Sequence, residues 1–191
     1  MSDIQIKDGA GTGRRAKVDV DNRLAVTAVA DGRVHFSNHV KQEAYTITLS
    51  QTPTGAGDVF LYIKNSNQSA DLNIWMFGVR VAAAESIKLW LGGTGTPVGG
   101  TAVVPVNRTA NSGHVAQGTF LVGNDITGLT AATANPGNQI FFPADNASHP
   151  WECPCGIIIP PNSIFYVTAT TGAIAINMDV LMEYHAAEHA G

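Results

Sequence analysis

Apolar and polar residues alternate with period two through most of this chain beyond residue 43, most clearly near the carboxyl end. There Ile174, Ile176, Met178, Val180, Met182 and Tyr184 fall on one face, with Asn177, Asp179 and Glu183 on the other. No stripe at i, i+3, i+4 survives in that stretch, so the pattern predicts a strand whose apolar face lies in the core. Residues 43–50 set Tyr45, Ile47 and Leu49 against Thr46 and Thr48, and residues 59–64 alternate Val59, Leu61 and Ile63 with Phe60, Tyr62 and Lys64. Residues 71–81 are apolar on both faces (Leu72, Ile74 and Met76 against Trp75, Phe77 and Val79), which predicts a central strand covered on two sides. Shorter runs at 86–91, 139–142, 156–159 and 164–170 complete the strongly patterned set. Turns are marked by Gly55-Ala-Gly57, Asn65-Ser66-Asn67 and Pro160-Pro161-Asn162-Ser163. About eight to ten strands at this spacing predict an all-β protein, an antiparallel β-sandwich.

Two regions depart from this regularity. Residues 92–101, GGTGTPVGGT, read as a long turn, and residues 101–139 are rich in Gly, Asn, Thr and Ala with only two short apolar pieces, 103–106 and 120–122. A stretch so long is either an elaborated loop packed on a neighbour or a set of weakly patterned edge strands. At the amino end, a glycine turn (Gly9, Gly11, Gly13) leads into two short alternating runs, 16–21 and 23–29, broken at Asp21-Asn22. These predict a β-hairpin with too few large apolar side chains to bury a core alone. The expected organisation is therefore an amino-terminal β arm and connector over 1–42 and a sandwich domain over 43–191.

Composition narrows the partners. The chain has 191 residues, enough for one well-buried core, and 45% of them are hydrophobic; only 14% are charged, against roughly 25% in typical domains. Thr, Asn, Ser, Gly and Ala replace the missing charge, which suits either a plain uncharged surface or a protomer largely covered by neighbours. Net charge is −4, and the 11 Lys and Arg are scattered, with Arg14-Arg15 the one local pair. Phosphate-backbone binding draws on clustered basic residues, so nucleic acid is not expected as a partner. No apolar run approaches the roughly 20 residues of a membrane helix, and MSDIQIKDG lacks the basic and apolar regions of a secretory signal. No membrane association is expected, and assembly in a cytoplasm follows.

Candidate chemistry is sparse. Gly9-Ala-Gly11-Thr-Gly13 is followed by Arg14-Arg15 and a predicted strand, whereas a phosphate loop needs Gly-Lys-Ser/Thr opening a helix. His149, Glu152, Cys153 and Cys155 in HPWECPC are zinc-type donors, but no second Cys pair accompanies them, and the segment reads as a buried or rim loop. The two cysteines make no disulfide framework. His185, Glu188 and His189 lack the HExxH order and read as a frayed tail; His35 and His39 have no recognisable partner. No Ser or Cys sits in a strand–turn–helix elbow, and no carboxylate pair stands out as a general acid and base. The expectation is a protein that is not an enzyme and holds no cofactor and no metal.

One segment carries a family likeness. Asp8, Gly9, Gly11, Gly13, Ala16, Lys17, Val18, Asp19, Asn22, Arg23 and Leu24 together resemble the amino-terminal segment of a group of tailed-bacteriophage virion proteins. A further likeness to that group covers GTGTPVGGT at 93–101 and SGHVAQGTFLVGNDITGL at 112–129, and the run IIIPPNS between two strands resembles the closing strands of viral jelly rolls. The resemblance implies a jelly-roll-like sandwich and a structural virion protein on the capsid exterior, assembled in the host bacterial cytoplasm. The expected role is that of a capsid decoration (cement) protein, a homotrimer bound to the major capsid protein. Asp8, Gly9, Gly11, Gly13, Lys17, Asp19, Asn22 and Arg23 would then form an assembly and attachment arm. One alternative is a tail or head spike or fibre protein that binds a host receptor, with Trp90 and Trp151 as its aromatic candidates. Another is a metal- or sugar-active jelly-roll enzyme, for which the His-x-His and Glu spacing of a cupin site is missing.

Overall fold

The computed structural model describes residues 41–131, 139–144 and 151–186, with the backbone alone at 139–144, 151, 153 and 186. The expected hairpin arm, with Asp8, Gly9, Gly11, Gly13, Lys17, Asp19, Asn22 and Arg23, lies outside the described residues. Those residues form strands β1 (Ala44–Gln51), β2 (Val59–Asn65), β3 (Ala70–Val81), β4 (Glu85–Leu91), β5 (Thr94–Val98), β6 (Thr101–Ala102) and β7 (Val106–Asn107). They continue with β8 (Gly118–Val122), β9 (Thr127–Thr130), β10 (Gln139–Ala144), β11 (Trp151–Ile159), β12 (Ile164–Ala169) and β13 (Ile176–Ala186).

The strands build an antiparallel β-sandwich. One sheet has the order β11-β3-β13-β1-β7, the other β10-β4-β12-β2-β8-β6, and β5 and β9 pair as a separate ribbon. The long strands pair in nested fashion: β1 with β13, β2 with β12, β3 with β11 and β4 with β10, all antiparallel. Successive members of the first half, β1 to β4, alternate between the two sheets.

The core lies between the sheets. From the first come Tyr45, Ile47 and Leu49 of β1 and Ile176, Met178, Val180, Met182 and Tyr184 of β13, as the alternation predicts; from the second come Leu61, Ile63, Leu89, Phe165 and Val167. Phe77 of β3 and Phe165 of β12 stack across the sandwich, with ring centroids 5.9 Å apart. Full burial of such rings is the largest apolar contribution a side chain makes to holding two sheets together.

The two-sided apolarity of β3 has a different cause from the one the sequence suggests. The strand is central, between β11 and β13, but its pairing with β13 steps from Met76↔Leu181 to Ile74↔Met182. Trp75 is the extra residue of a β-bulge, which shifts the alternation by one. Leu72 and Ile74 before it and Phe77, Val79 and Val81 after it therefore all face the core, while Trp75 and Met76 are half-buried. The same device operates in β2: pairing steps from Leu61↔Val167 to Val59↔Thr168, and Phe60, left over, joins the core.

Two buried polar side chains tie turns together. Asn65 donates from Nδ2 to the carbonyls of Ala70 and Ile159, 2.9 Å each, and accepts from the Asn67 N–H at 3.0 Å. Glu85, at the start of β4, accepts from the N–H groups of Ser86 (2.7 Å), Thr170 (3.1 Å), Thr171 (2.9 Å) and Gly172 (3.0 Å), and from the Thr170 hydroxyl at 2.9 Å. Burial alone would raise this carboxyl's pKa; the hydrogen bonds outweigh it and hold the value below the ordinary one.

Candidate functional site

The residue pattern of β1, β3, β11 and β13 gives the first sheet an outer face with a groove of about 510 Å³. One row crosses four strands: Glu152 of β11 opposite Gly78 of β3, Gly78 opposite Asp179 of β13, and Asp179 opposite Thr48 of β1. Gly78 supplies the floor, since it places no side chain between the carboxylates of Glu152 and Asp179. The Thr48 hydroxyl donates to Asp179 Oδ1 at 2.6 Å. In the next row Arg80 lies opposite Asn177, and Asn177 opposite Ser50. The groove is open, and its polar side chains offer hydrogen-bond donors and acceptors.

The outer face of the second sheet is built differently. Leu121, Tyr62, Tyr166 and Trp90 form one cross-strand row over β8, β2, β12 and β4. Tyr62 and Tyr166 are buried there with Val59 and Ile126, and Leu129 and Ile164 pack against them. Trp90 stacks on Tyr166, with centroids 5.6 Å apart and planes 8° from parallel, and its indole N–H donates to the Thr168 hydroxyl at 3.0 Å. At this end lies a recess of about 380 Å³, lined among others by Trp90, Tyr166, Asp58, Asp125 and Thr168. Burial holds the Tyr62 and Tyr166 phenols above their ordinary range.

The β5–β9 ribbon accompanies this layer and explains the glycines of 92–101. Gly95 (φ +109°) pairs opposite Leu129, and a Cβ there would collide with the Gly128 carbonyl; one at Gly128 (φ +79°) would collide with that of Thr96. The strands approach so closely only because both positions lack side chains. The long turn expected at 92–101 thus contains strand β5 and the first residue of β6, and the loose stretch beyond it contributes short strands, among them β8, which lies between β2 and the edge strand β6. The segments 93–101 and 112–129 are partners in space: β5 with β9, and β6 with β8.

Other sequence candidates fall elsewhere. HPWECPC is not a loop throughout: from Trp151 it belongs to β11, at the edge of the first sheet, where backbone pairing with Val79 to Met76 extends the strand despite Pro154. Glu152 is exposed, Cys155 is half-buried with Sγ 3.8 Å from the Ile74 carbonyl, and His149 lies outside the described residues. Among the described residues no group of three His, Cys, Asp or Glu is placed to hold a metal ion. His185 is no frayed tail but part of β13, with Nε2 2.6 Å from Glu183 Oε1; Glu188 and His189, like His35 and His39, lie outside the described residues. Glu183, which the alternation sets on the face opposite the apolar residues, is fully buried, 0% accessible, with Asn73 Nδ2 3.5 Å from the same Oε1. Near it Tyr184, its phenol pushed far above its ordinary range by burial and by Tyr45, donates to the Gln117 carbonyl at 2.7 Å.

The groove row, the Glu85 cage and the aromatic row escape sequence reading because each joins residues from distant strands. Gly78, a glycine inside an apolar strand, is the one local signal of the groove. Comparison with protein-family models, with curated proteins and with solved structures finds no match to this chain.

Proposed function

We propose that this chain is a structural virion protein of a tailed phage, a cement protein that decorates and stabilises the capsid as a homotrimer bound across junctions of the major capsid protein. The observation that carries the reading is the nested pairing of β1–β13, β2–β12, β3–β11 and β4–β10 across two sheets. Such nesting supports reading the sandwich as a jelly roll, the winding of a long antiparallel ribbon that viral capsid domains share with lectins and cupins. Fold alone does not assign function. The family likeness at 8–29, 93–101 and 112–129 favours the virion among those uses, and the charged fraction of 14% suits protomers that cover one another. In this role the work is mechanical: contacts of roughly 1,200–2,000 Å² per interface resist internal pressure on the shell.

A spike or fibre that binds a host receptor is the second reading, favoured by the recess at Trp90 with its stacked aromatic and neighbouring Asp125. The deciding experiment is localisation of the chain on purified virions by antibody labelling and electron microscopy. Label distributed over the shell is the expected result. Label confined to the tail or to single vertices favours the spike, and absence of the chain from purified particles overturns both.

A further inference from the structure

A sheet edge is a row of unpaired backbone N–H and C=O groups, and proteins that remain monomers protect such edges with charges, prolines or bulges. The exposed edges of this sandwich differ in that respect. The β11 edge carries Glu152, Pro154 and a register shift between Pro154 and Ile157; the β10 edge carries Pro143. The β8 edge is covered by β6 and by the Val103 N–H, which donates to the Phe120 carbonyl at 3.0 Å.

The β1 edge has none of these devices over most of its length. β7 pairs with Tyr45 and Thr46, and the Arg108 N–H donates to the Ala44 carbonyl at 2.9 Å. Beyond that, among the described residues, no strand pairs with Ile47–Gln51 on the side away from β13. The sequence there is Ile-Thr-Leu-Ser-Gln, without charge, proline or bulge. Beside it is a recess of about 490 Å³ lined by Thr46, Ile47, Thr48, Val103, Val104 and Val106. Val104 and Val106 are 76% and 70% exposed, two of the most exposed large apolar side chains described.

We infer that the Ile47–Gln51 edge and the adjoining valine recess form a self-association site, at which a second copy of this chain adds an extended strand to the first sheet. Backbone hydrogen bonds would give such a contact its register, and alternate side chains of the added strand would enter the recess. Charge selects the occupant. The residues that line the recess and the edge carry no charge, although the chain has 15 Asp and Glu and 11 Lys and Arg elsewhere. Two copies can meet there without like charges opposed, and a partner recognised through its charge finds nothing to engage. In a cyclic trimer each edge receives a different element of the next copy, which closes the ring without leaving an open edge.

The inference rests on the reading of the chain as an assembling subunit, and its test separates the two. The full-length chain and a V104D/V106D variant are compared by light scattering coupled to size exclusion, and hydrogen exchange of those Ile47–Gln51 amides that point away from β13 is followed above and below the association midpoint. Both valines project into solvent, so the variant should keep its circular dichroism. The expected result is self-association weakened by roughly 100-fold or more, since each aspartate would be buried unpaired, with edge amides protected in the wild type only when associated. An associated wild type whose edge amides gain no protection, and whose variant associates equally well, overturns this site and leaves the assembling-subunit reading standing. A wild type that is monomeric at high micromolar concentration overturns both.

Discussion

The two outer faces of the sandwich are made from strands of similar length and composition, yet one is an open polar groove and the other a second apolar layer. On the first sheet, Thr48, Asp179 and Asn177 alternate strictly with core residues, and Gly78 leaves a hollow between carboxylates. On the second, Tyr62, Tyr166 and Val59 are buried on the side away from the core, beneath Ile126 and Leu129. The difference does not come from the strands alone. It comes from residues 92–131, which on their own pattern form almost nothing and which supply the apolar side chains that complete the second layer. A weakly patterned segment can thus decide whether a strongly patterned one is amphipathic or buried on both sides.

The largest test of that contrast is Tyr166→Ala. The ring is buried in the outer layer and stacked on Trp90, and its loss is expected to cost about 3–5 kcal/mol in denaturant unfolding, as for a core aromatic. A cost below about 1 kcal/mol would mean that the second layer is not sealed from water in solution.

Next in size is Glu85→Gln. The carboxylate gathers four N–H groups and a hydroxyl, and an amide presents its own donors to some of them, so a loss of about 1.5–3 kcal/mol is expected at neutral pH. The folded-state pKa is depressed, so this stability is present above the unfolded value, about 4.5, and is lost as pH falls through the lower folded value. The acid limb of the wild-type stability profile should therefore be steeper below about pH 4.5 than that of the variant, as followed by thermal melting at fixed pH steps. Equal slopes would show that the cage does not form.

Much of this architecture was legible in the residues, and where it was not the reason is physical. β1, β4 and β13 declare themselves because burial of one face imposes period two, and the core set Ile176, Met178 and Val180 follows directly. β3 reads as a central strand and is one, but its second apolar face is a phase shift at Trp75, which alternation cannot distinguish from double cover. β5 and β9 are held by backbone approach at Gly95 and Gly128 and by little side-chain pattern, and the amino half of β11 is held by its pairing with β3. Glu183 reads only as a residue opposite the apolar face, because its neighbours Asn73 and His185 are brought to it by pairing and by the strand itself. Sites assembled across strands are in general visible only once register is known.

A smaller effect is expected for Gly95→Ala, which tests how the ribbon is seated. The added methyl would meet the Gly128 carbonyl at a residue with φ +109°, so the strands must part locally, at a cost of about 1–3 kcal/mol. Hydrogen exchange at Thr127–Thr130 should quicken while exchange in β2 and β12 stays slow. Uniform acceleration across the sandwich would mean that the ribbon is integral to the core and not an addition to its outer face.

The smallest effect is expected on the open face, and it closes the contrast. Asp179 is exposed, lies opposite Gly78 and accepts one hydrogen bond, from Thr48, in a place where water can replace the donor. Asp179→Ala should change stability by no more than about 0.5 kcal/mol, as surface substitutions do, and Thr48→Val, which removes the same hydrogen bond, should add little to it. The measurement belongs in the V104D/V106D background, where self-association through the neighbouring β1 edge is not expected to contribute. If Asp179→Ala costs as much there as Tyr166→Ala, the groove is sealed within a single copy, and the two faces are not the opposites that their residues describe. If the cost appears only in the associating wild type, the next copy reaches past the β1 edge and covers the groove as well.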